Sequence, residues 1–334
     1  MSEYRSIQGA AVQSLASNTG TIEGQIWYDN ANYAFKLESV TGTASWATGG
    51  SLPGGRQNGG QAGLQTAALQ AGGQPPSTYT TNTSYSYDGS SWTATNPLGS
   101  ARRQATMMGV QGAALLASSS DTAPPATATT ATEEFDGTNW TAGGALNTAR
   151  YGAFGGGTQT QAVVAGGSGP PGYKADTEEY NGTSWTSVTS MPGNYGNGTA
   201  GSDSQLDMLC VGGGPGTQTT NLKYDGTNWS TGNALSGVGR RGNRGALPSS
   251  SAPGFTSGGE SATVNPINVT EEWDGTCFSS STNIPAATRD ACGSDGGTGA
   301  AGLFTGGHHS TAISSGVYEF TGSGIAVTKT ITTS

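Results

Sequence analysis

An arginine recurs along this chain of 334 residues at intervals of 47 to 51 residues, with one interval of 91, about twice as long. Arg56, Arg103 and Arg150 are 47 residues apart, and the full set is Arg5, Arg56, Arg103, Arg150, Arg241 and Arg289. A guanidinium is a planar fork that binds carboxylates through paired hydrogen bonds, so a ring of these residues could bind an anion or an acidic sugar. The alternative is that each arginine holds its own loop by donating to backbone carbonyls. Further positive charge nearby comes from Arg102, Arg240 and Arg244.

Two other groups have side chains suited to chemistry. His308 and His309 are the only histidines, and they lack Cys or His partners at metal-binding spacing, so we expect a polar loop and no metal site. Three Glu-Glu pairs look like the paired carboxylates of glycosidases. They recur at one position of a repeat, which indicates a structural feature, and the first Glu of each is predicted to face outward. No catalytic residue and no cofactor is predicted. The pairs are Glu133-Glu134, Glu178-Glu179 and Glu271-Glu272.

Composition restricts the possible partners. The formal net charge is −9, which argues against nucleic acid because such binding neutralises phosphates with Lys and Arg. No stretch approaches the roughly 18 apolar residues of a membrane span. The N-terminus lacks the pattern of a secretory signal, which predicts a protein made in a cytoplasm. The three cysteines are expected to be free thiols: Cys210, Cys277 and Cys292.

The elements that would position these residues follow from an internal repeat. Its marker is an Asx-Gly pair followed by an aromatic residue, as in Asp136-Gly137 before Trp140. Intervals of 44 to 49 residues between markers, with strand-like content, are typical of a propeller or another repeat array. The marker residues, predicted to be structural anchors, are Trp46, Trp92, Trp140, Trp185, Trp229 and Phe278, with a degenerate copy at Ile325.

Each unit reads as four short strands with fixed landmarks. Asn181-Gly182 is predicted to supply the two positive-φ positions of a type I′ hairpin turn. A double glycine ends the second strand, for example Gly166-Gly167, and is replaced by Ala117-Ser118 in one unit and by Gly24-Gln25 in the N-terminal unit. Small residues near an axis and large aromatics between blades give the taper that a radial array needs.

The sequence therefore predicts an all-β fold, a β-propeller of seven four-stranded blades in a single domain spanning residues 1–334. Residues 1–46 would be the first blade, and residues 47–334 six clear repeats. The alternative is six blades and an N-terminal attachment arm, residues 1–46. The segment 325–331 is β-branched and alternating, so it could seal the ring.

The order of landmarks resembles the kelch repeat: an apolar strand, a double glycine, an aromatic some 14 residues later and Trp about five beyond. Residues 24–29 (GQIWYD) and 34–37 (AFKL) are similar to a short hairpin in structural proteins of tailed bacteriophages. Residues 5–15 resemble kelch-like proteins of marine and cyanobacterial phages. The resemblance implies a virion structural protein, such as a tail fibre or capsid decoration protein.

One face of the predicted propeller is variable. The loops from the second to the third strand share a face with the connections between blades and differ freely, whereas the opposite Asx-Gly turns are nearly uniform. Binding function concentrates in variable loops on a rigid scaffold. The predicted ligand-binding residues on this face are Arg56, Arg103, Arg150, Arg241, Arg289, Tyr79, Tyr173, His308 and His309.

The leading hypothesis is a non-enzymatic virion protein that binds other virion proteins and a host-surface glycan or protein, with a symmetric oligomer on the virion as a further expectation. Two alternatives stay open. One is a cellular kelch-type scaffold that binds an acidic peptide, and the other is a polysaccharide-degrading enzyme. A glycan array separates the first two, and release of reducing ends tests the third.

Overall fold

The computed structural model describes residues 13–15, 26–29, 34–41, 43–121, 127–293, 301–323 and 325–331. The chain divides into two compact units, of which the smaller comprises Met1–Ala44 and Ser323–Ser334. Its last strand pairs with Ala34–Thr41, so the prediction that it seals the ring is wrong. Arg5, the Gly24-Gln25 pair and residues 122–126 lie outside the described residues. The sheet of the smaller unit contains, in order, Gln13–Leu15, Ile26–Asp29, Ala34–Thr41 and Ile325–Ile331.

Among the described residues, the larger unit, Ser45–Gly322, forms six four-stranded antiparallel sheets. The first strand of each sheet contacts the first strand of the next, which makes a propeller with these strands innermost. A short hairpin, Ser168–Gly169 with Gly172–Tyr173, follows the second strand of blade 3. No helix in the described part of the chain has the length and apolar character of a membrane span.

The strands run from innermost to outermost in each blade. They are Gly60–Leu64, Ala67–Ala71, Ser84–Tyr87 and Trp92–Thr95 in blade 1; Thr106–Val110, Ala113–Ala117, Glu133–Phe135 and Trp140–Ala142 in blade 2; Phe154–Gly157, Ala162–Ala165, Thr177–Tyr180 and Trp185–Val188 in blade 3; Thr199–Gly201, Met208–Val211, Asn221–Tyr224 and Trp229–Thr231 in blade 4; Arg244–Ala246, Gly254–Ser257, Thr270–Trp273 and Phe278–Ser280 in blade 5; and Cys292–Gly293, Ala301–Thr305, Val317–Thr321 and Ser45–Thr48 in blade 6.

The ring closes by pairing strands from both ends of the larger unit. Ser45–Thr48 is the outermost strand of blade 6, where Trp46 lies opposite Phe320. The prediction of seven blades is wrong for this reason, since Trp46 marks no blade of its own and completes the last one. The degenerate marker at Ile325 lies in the smaller unit. The described ring therefore has six blades, the number in the alternative prediction.

Six aromatic pairs pack between the blades. In five blades the aromatic before the Asx-Gly turn packs on the aromatic after it, and in blade 6 the two aromatics come from separate chain segments; the ring centroids are 4.8–5.0 Å apart in all six pairs. The first member of each pair is only 0–2% exposed. Five of these rings lie in a hydrophobic cluster shared with the adjacent blade, and Phe320 packs on Phe255 of blade 5. The pairs are Tyr87–Trp92, Phe135–Trp140, Tyr180–Trp185, Tyr224–Trp229, Trp273–Phe278 and Phe320–Trp46.

In four of the six blades, the residue before the buried aromatic contacts the aromatic of the next blade. Where that aromatic is Trp273, the residue is Lys223, whose amine lies 4.8 Å from the ring centroid. Where it is a tyrosine, the residue is a glutamate that accepts the phenol hydrogen bond at 2.5–2.8 Å. Burial and the adjacent carboxylate raise the pKa of these phenols, to about 12 at Tyr87. The bonded pairs are Glu134–Tyr180, Glu179–Tyr224 and Glu319–Tyr87.

The first glutamate of each Glu-Glu pair is buried, which corrects the prediction that it faces outward. Each one pairs with a buried arginine from the connection that leads into the same blade. We call these pairs the Arg–Glu clasps, because each fastens that connection to the third strand. The clasps are Arg102–Glu133 and Arg150–Glu178, both at 2.6 Å, and Arg240–Glu271.

The clasp in blade 3 shows how the buried charges are satisfied. Arg150 donates to Glu178 and also to the carbonyls of Gly166 at 3.1 Å and Asp176 at 2.6 Å. Glu178 also accepts a bond from the backbone N–H of Asn147 at 2.6 Å. Burial lowers the pKa of Arg150, and Glu178 opposes this shift. With its hydrogen bonds this complete, the pair tolerates full burial.

Blade 1 keeps the arginine and lacks the carboxylate. Arg56 donates to Gln70 Oε1 at 2.9 Å and to Thr83 Oγ1 at 3.1 Å. Its guanidinium carbon lies 4.6 Å from the centroid of the Tyr85 ring. In blade 1 a buried arginine therefore anchors the connection without a glutamate.

The Asx-Gly hairpins are Asx turns, not the predicted type I′ turns. Asp225 Oδ1 accepts the backbone N–H groups of Thr227 at 2.9 Å and Asn228 at 2.6 Å. Of the Asx-Gly pair only Gly226 has a positive φ, at 85°. The side-chain oxygen binds two backbone donors, so the Asx residue needs no left-handed conformation.

The double glycine is required by its conformation and surroundings. Gly166 has a φ of 63°, and a Cβ there would lie 2.3 Å from the Tyr195 carbonyl oxygen. In blade 2 this position is Ser118, with a φ of 53°. The second strand of blade 2, Ala113–Ala117, ends directly before Ser118. The pair that replaces the double glycine is therefore Ser118-Ser119 and not the predicted Ala117-Ser118.

Replacing Arg150 with Met is expected to lower the free energy of unfolding by about 3–5 kcal/mol, because Glu178 is left buried without its cation. The measurement is urea unfolding followed by tryptophan fluorescence. Arg241→Met is the matched control, because the same change there removes an ion pair from a side chain that is 44% exposed. Equal stability of the two variants would contradict the clasp.

The Asx turns are expected to make stability sensitive to acid. Backbone N–H groups lower the pKa of the turn aspartates, so their stabilisation is complete above the unfolded value of about 3.9 and is lost as pH falls through the folded value. The melting temperature should therefore decrease as the pH is lowered below about 4. The shifted aspartates are Asp88, Asp136, Asp225 and Asp274.

An asparagine can form the same Asx turn as an aspartate, but its side chain does not titrate. Asn181 already accepts the N–H groups of Thr183 at 3.0 Å and Ser184 at 2.9 Å in blade 3. Changing Asp136, Asp225 and Asp274 together to Asn should leave the melting temperature at pH 7 unchanged and flatten its fall in acid. Thermal unfolding from pH 7 to pH 2 checks this, and an unaltered acid profile would refute it.

Candidate binding site at the mouth of the axial cavity

The predicted arginines fall in two registers that differ by one residue. Arg56 and Arg150 are 3% and 0% exposed, and they hold connections as described above. Arg103, Arg241 and Arg289 come one position later, and their backbones pair with the loops that follow the second strands, at Ser120, Glu260 and His308. This second register, in which Arg241 is exposed and Arg103 and Arg289 are half-buried, thus lies beside the variable loops. We call the face of the propeller that contains these connections and loops the annular face, after the circle of residues described next.

The next residue along the chain in each blade forms a closed circle around the axis. Its backbone N–H donates to the carbonyl of the equivalent residue in the preceding blade, at 2.6–2.9 Å in all six cases. The circle closes where Asn58 of blade 1 donates to Asp290 of blade 6. All six residues have a φ between 51° and 65°. We call this circle the annulus: Asn58, Gln104, Gly152, Asn197, Gly242 and Asp290.

Four residues of the annulus have side chains although their backbone conformation favours glycine. Five non-glycine residues in the described part of the chain have a positive φ, and four of them belong to the annulus. Such a conformation is uncommon outside glycine, although Asn and Asp tolerate it best. Gly152 and Gly242 show that the circle also accepts glycine. Backbone strain of this kind clusters at functional sites.

The annulus surrounds a polar cavity of about 150 Å³ that we call the mouth. Its side chains supply both hydrogen-bond donors and acceptors. Five of its residues belong to the annulus, and three come from the adjoining connections and one loop. The lining residues are Asn58, Gln104, Asn197, Arg241, Gly242, Glu260, Arg289 and Asp290.

The charges of the mouth are paired with one another. Arg241 forms an ion pair with Glu260, and this bond raises the pKa of Arg241. Arg289 Nη1 lies 3.0 Å from Asp290 Oδ2 and 3.9 Å from Glu260 Oε2. Burial raises the pKa of Asp290, and Arg289 and Arg244 oppose the shift. Two cations and two carboxylates therefore leave the lining without a formal net charge.

The carboxamides of the mouth are available to a ligand. Gln104 Oε1 accepts a long hydrogen bond from Ser120 at 3.4 Å. Within the described residues, the Asn58 and Asn197 side chains have no hydrogen-bond partner. The Asn197 carboxamide lies over Gly152, where a Cβ would be 2.0 Å from its oxygen. Glycine at position 152 thus makes room for the Asn197 side chain.

An axial cavity also has a lining drawn from innermost strands of several blades, mainly small residues such as Gly155 and Ala200. Arg244 is its cation, and it donates to the Gly198 carbonyl at 3.0 Å. The guanidinium is thereby anchored to the backbone of blade 4.

The other predicted site residues lie on the annular face but outside the mouth. Tyr173 contacts Arg241, and Tyr79 is 49% exposed with the Arg103 guanidinium 5.8 Å from its ring centroid. His308 pairs through its backbone with Arg289. Burial and His308 lower the pKa of His309. In the described residues no three His, Cys, Asp or Glu side chains form a metal-binding group.

Comparison with known proteins supports the fold and nothing finer. No protein-family model and no curated protein sequence matches the chain. Solved structures do match, in 360 chains. The structure of YjhT is among them, with 12% sequence identity, a TM-score of 0.64, and coverage of 81% of this chain and 96% of that chain. At this identity the likeness shows the fold alone, an all-β propeller.

Proposed function

We propose that this chain is a non-enzymatic virion protein whose annular face binds a glycan on a host surface. The observation that carries the proposal is the mouth, a small concave site with unpartnered carboxamides and paired charges, next to Tyr173. Binding sites of small ligands are concave and hold a few convergent polar groups.

A glycan suits this site better than a protein. The core of a protein interface is usually apolar and fully buried, with aromatic anchors. The exposed large apolar side chains of the described residues are scattered, and only Tyr79 among them belongs to the predicted site. Sugar hydroxyls both donate and accept hydrogen bonds, which matches the mixed lining of the mouth.

Non-enzymatic binding is supported by the roles of the repeated carboxylates. Glu133, Glu178 and Glu271 belong to the clasps, and Glu134 and Glu179 bond to tyrosines of the next blade. These groups hold the propeller together, so they do not form the pair that a glycosidase needs.

The proposal that this is a virion protein is supported by the kelch-like repeat order and by the phage-like segment at residues 24–37. In this segment Ile26–Asp29 pairs with Ala34–Thr41 as an antiparallel hairpin. We propose that the N-terminal residues attach the protein to other virion proteins. Many copies on one particle would give avidity, so that weak binding at a single mouth suffices.

A glycan array tests the proposal directly. We expect the wild type to bind a defined subset of glycans and Arg241→Met to bind them at least about tenfold more weakly, which is one lost charge-assisted hydrogen bond. Lys174→Met is the matched control, because it removes one positive charge beside Tyr173 without touching the mouth. Binding to no glycan, or equal loss in both variants, would overturn the proposal.

A further inference from the structure

We infer that the mouth binds a neutral sugar residue, held by its ring hydroxyls, and not an acidic one. This inference rests on the glycan-binding function proposed above. It departs from the anion site that the arginine spacing predicts, and the reason is the pairing of charges within the mouth.

An acidic ligand meets carboxylates as soon as it reaches the arginines. Arg241 is bonded to Glu260, and Arg289 lies 3.0 Å from Asp290 and 3.9 Å from Glu260. A second carboxylate could bind either guanidinium only within a few ångströms of these like charges, which disfavours it. A hydroxyl has no such conflict, since it accepts from the guanidinium and donates to the carboxylate.

The annular carboxamides extend the same chemistry. Asn58 and Asn197 each offer two donors and one acceptor, and neither has a partner among the described residues. Both are held at a φ of 58°. The circle accepts glycine at two other positions, so these side chains are not required for ring closure. Their free hydrogen-bonding groups face a cavity, which assigns them to a ligand.

The size of the mouth limits the ligand to one residue of a glycan. A cavity of about 150 Å³ holds roughly five waters at about 30 Å³ each. A single sugar ring has the right order of size, so the mouth holds one neutral sugar residue and the rest of the glycan lies over the annular face.

The test compares glycans and variants. Immobilised oligosaccharides of matched length, ending either in a neutral hexose or in the corresponding uronic acid, are titrated with the intact wild-type protein. We expect the neutral series to bind and the uronic acids to bind at least tenfold more weakly. Asn58→Gly with Asn197→Gly should weaken neutral binding at least tenfold and leave the melting temperature nearly unchanged, because glycine suits this φ.

Ser118→Gly is the matched control. Among the described residues, Ser118 is the one non-glycine residue with a positive φ that does not belong to the annulus. It is fully buried and does not line the mouth. This variant should bind as the wild type does. Preference for uronic acids, or undiminished binding by the double variant, overturns this inference and leaves glycan binding intact. Binding to no glycan at all overturns both, and the comparison of neutral with acidic glycans needs no variant to fold.

Discussion

The structure depends on one closed circle of six backbone hydrogen bonds. Each blade contributes one residue in a left-handed conformation, and each N–H donates to the carbonyl of the blade before it. A circle of this kind fixes the positions of all six innermost strands together, since no bond can be displaced without affecting its neighbours. Because Asn58 meets Asp290, the circle ends after six blades. The mouth is a direct consequence, because the side chains of the circle surround the axis.

The remaining contacts hold the blades in the places that the annulus sets. In three blades an Arg–Glu clasp fastens the connection to its blade with side chains that are nearly or fully buried. Between blades, aromatic pairs fill the wedge, and at four of the six interfaces a glutamate or lysine contacts the aromatic of the next blade. These polar contacts compensate for a chain in which only 33% of residues are hydrophobic. Since buried charges are stable only when paired, removing one partner costs more than the pair contributes.

The sequence predicts much of a single blade, because its signals are local. The four strands, the six aromatic markers from Trp46 to Phe278 and the Asx-Gly turns all lie within one period. Ring closure is not local. Trp46 joins a blade whose other strands begin at Cys292, so counting markers gives one blade too many. A shift of one residue also separates the buried Arg102 from the half-buried Arg103, and an interval of 47 cannot distinguish them.

The mouth could be predicted only in part. Arg241 and Arg289 stand out by type and spacing, whereas Asn58, Gln104, Asn197, Glu260 and Asp290 do not. A signal was present, since Asn, Gly and Asp favour the left-handed conformation and recur two residues after the clasp position. The pairing of Arg241 with Glu260 depends on a loop between strands, whose course a repeat pattern does not determine. That pairing is what changes the expected ligand from an anion to a neutral sugar.

Native-state hydrogen exchange of the six annular amides tests the closed circle most directly. The account predicts that the amides of residues 58, 104, 152, 197, 242 and 290 exchange slowly and with a common free energy close to that of global unfolding, because all must open together. Rapid exchange of some of these amides, independent of the others and at the rate of exposed loops, would contradict it.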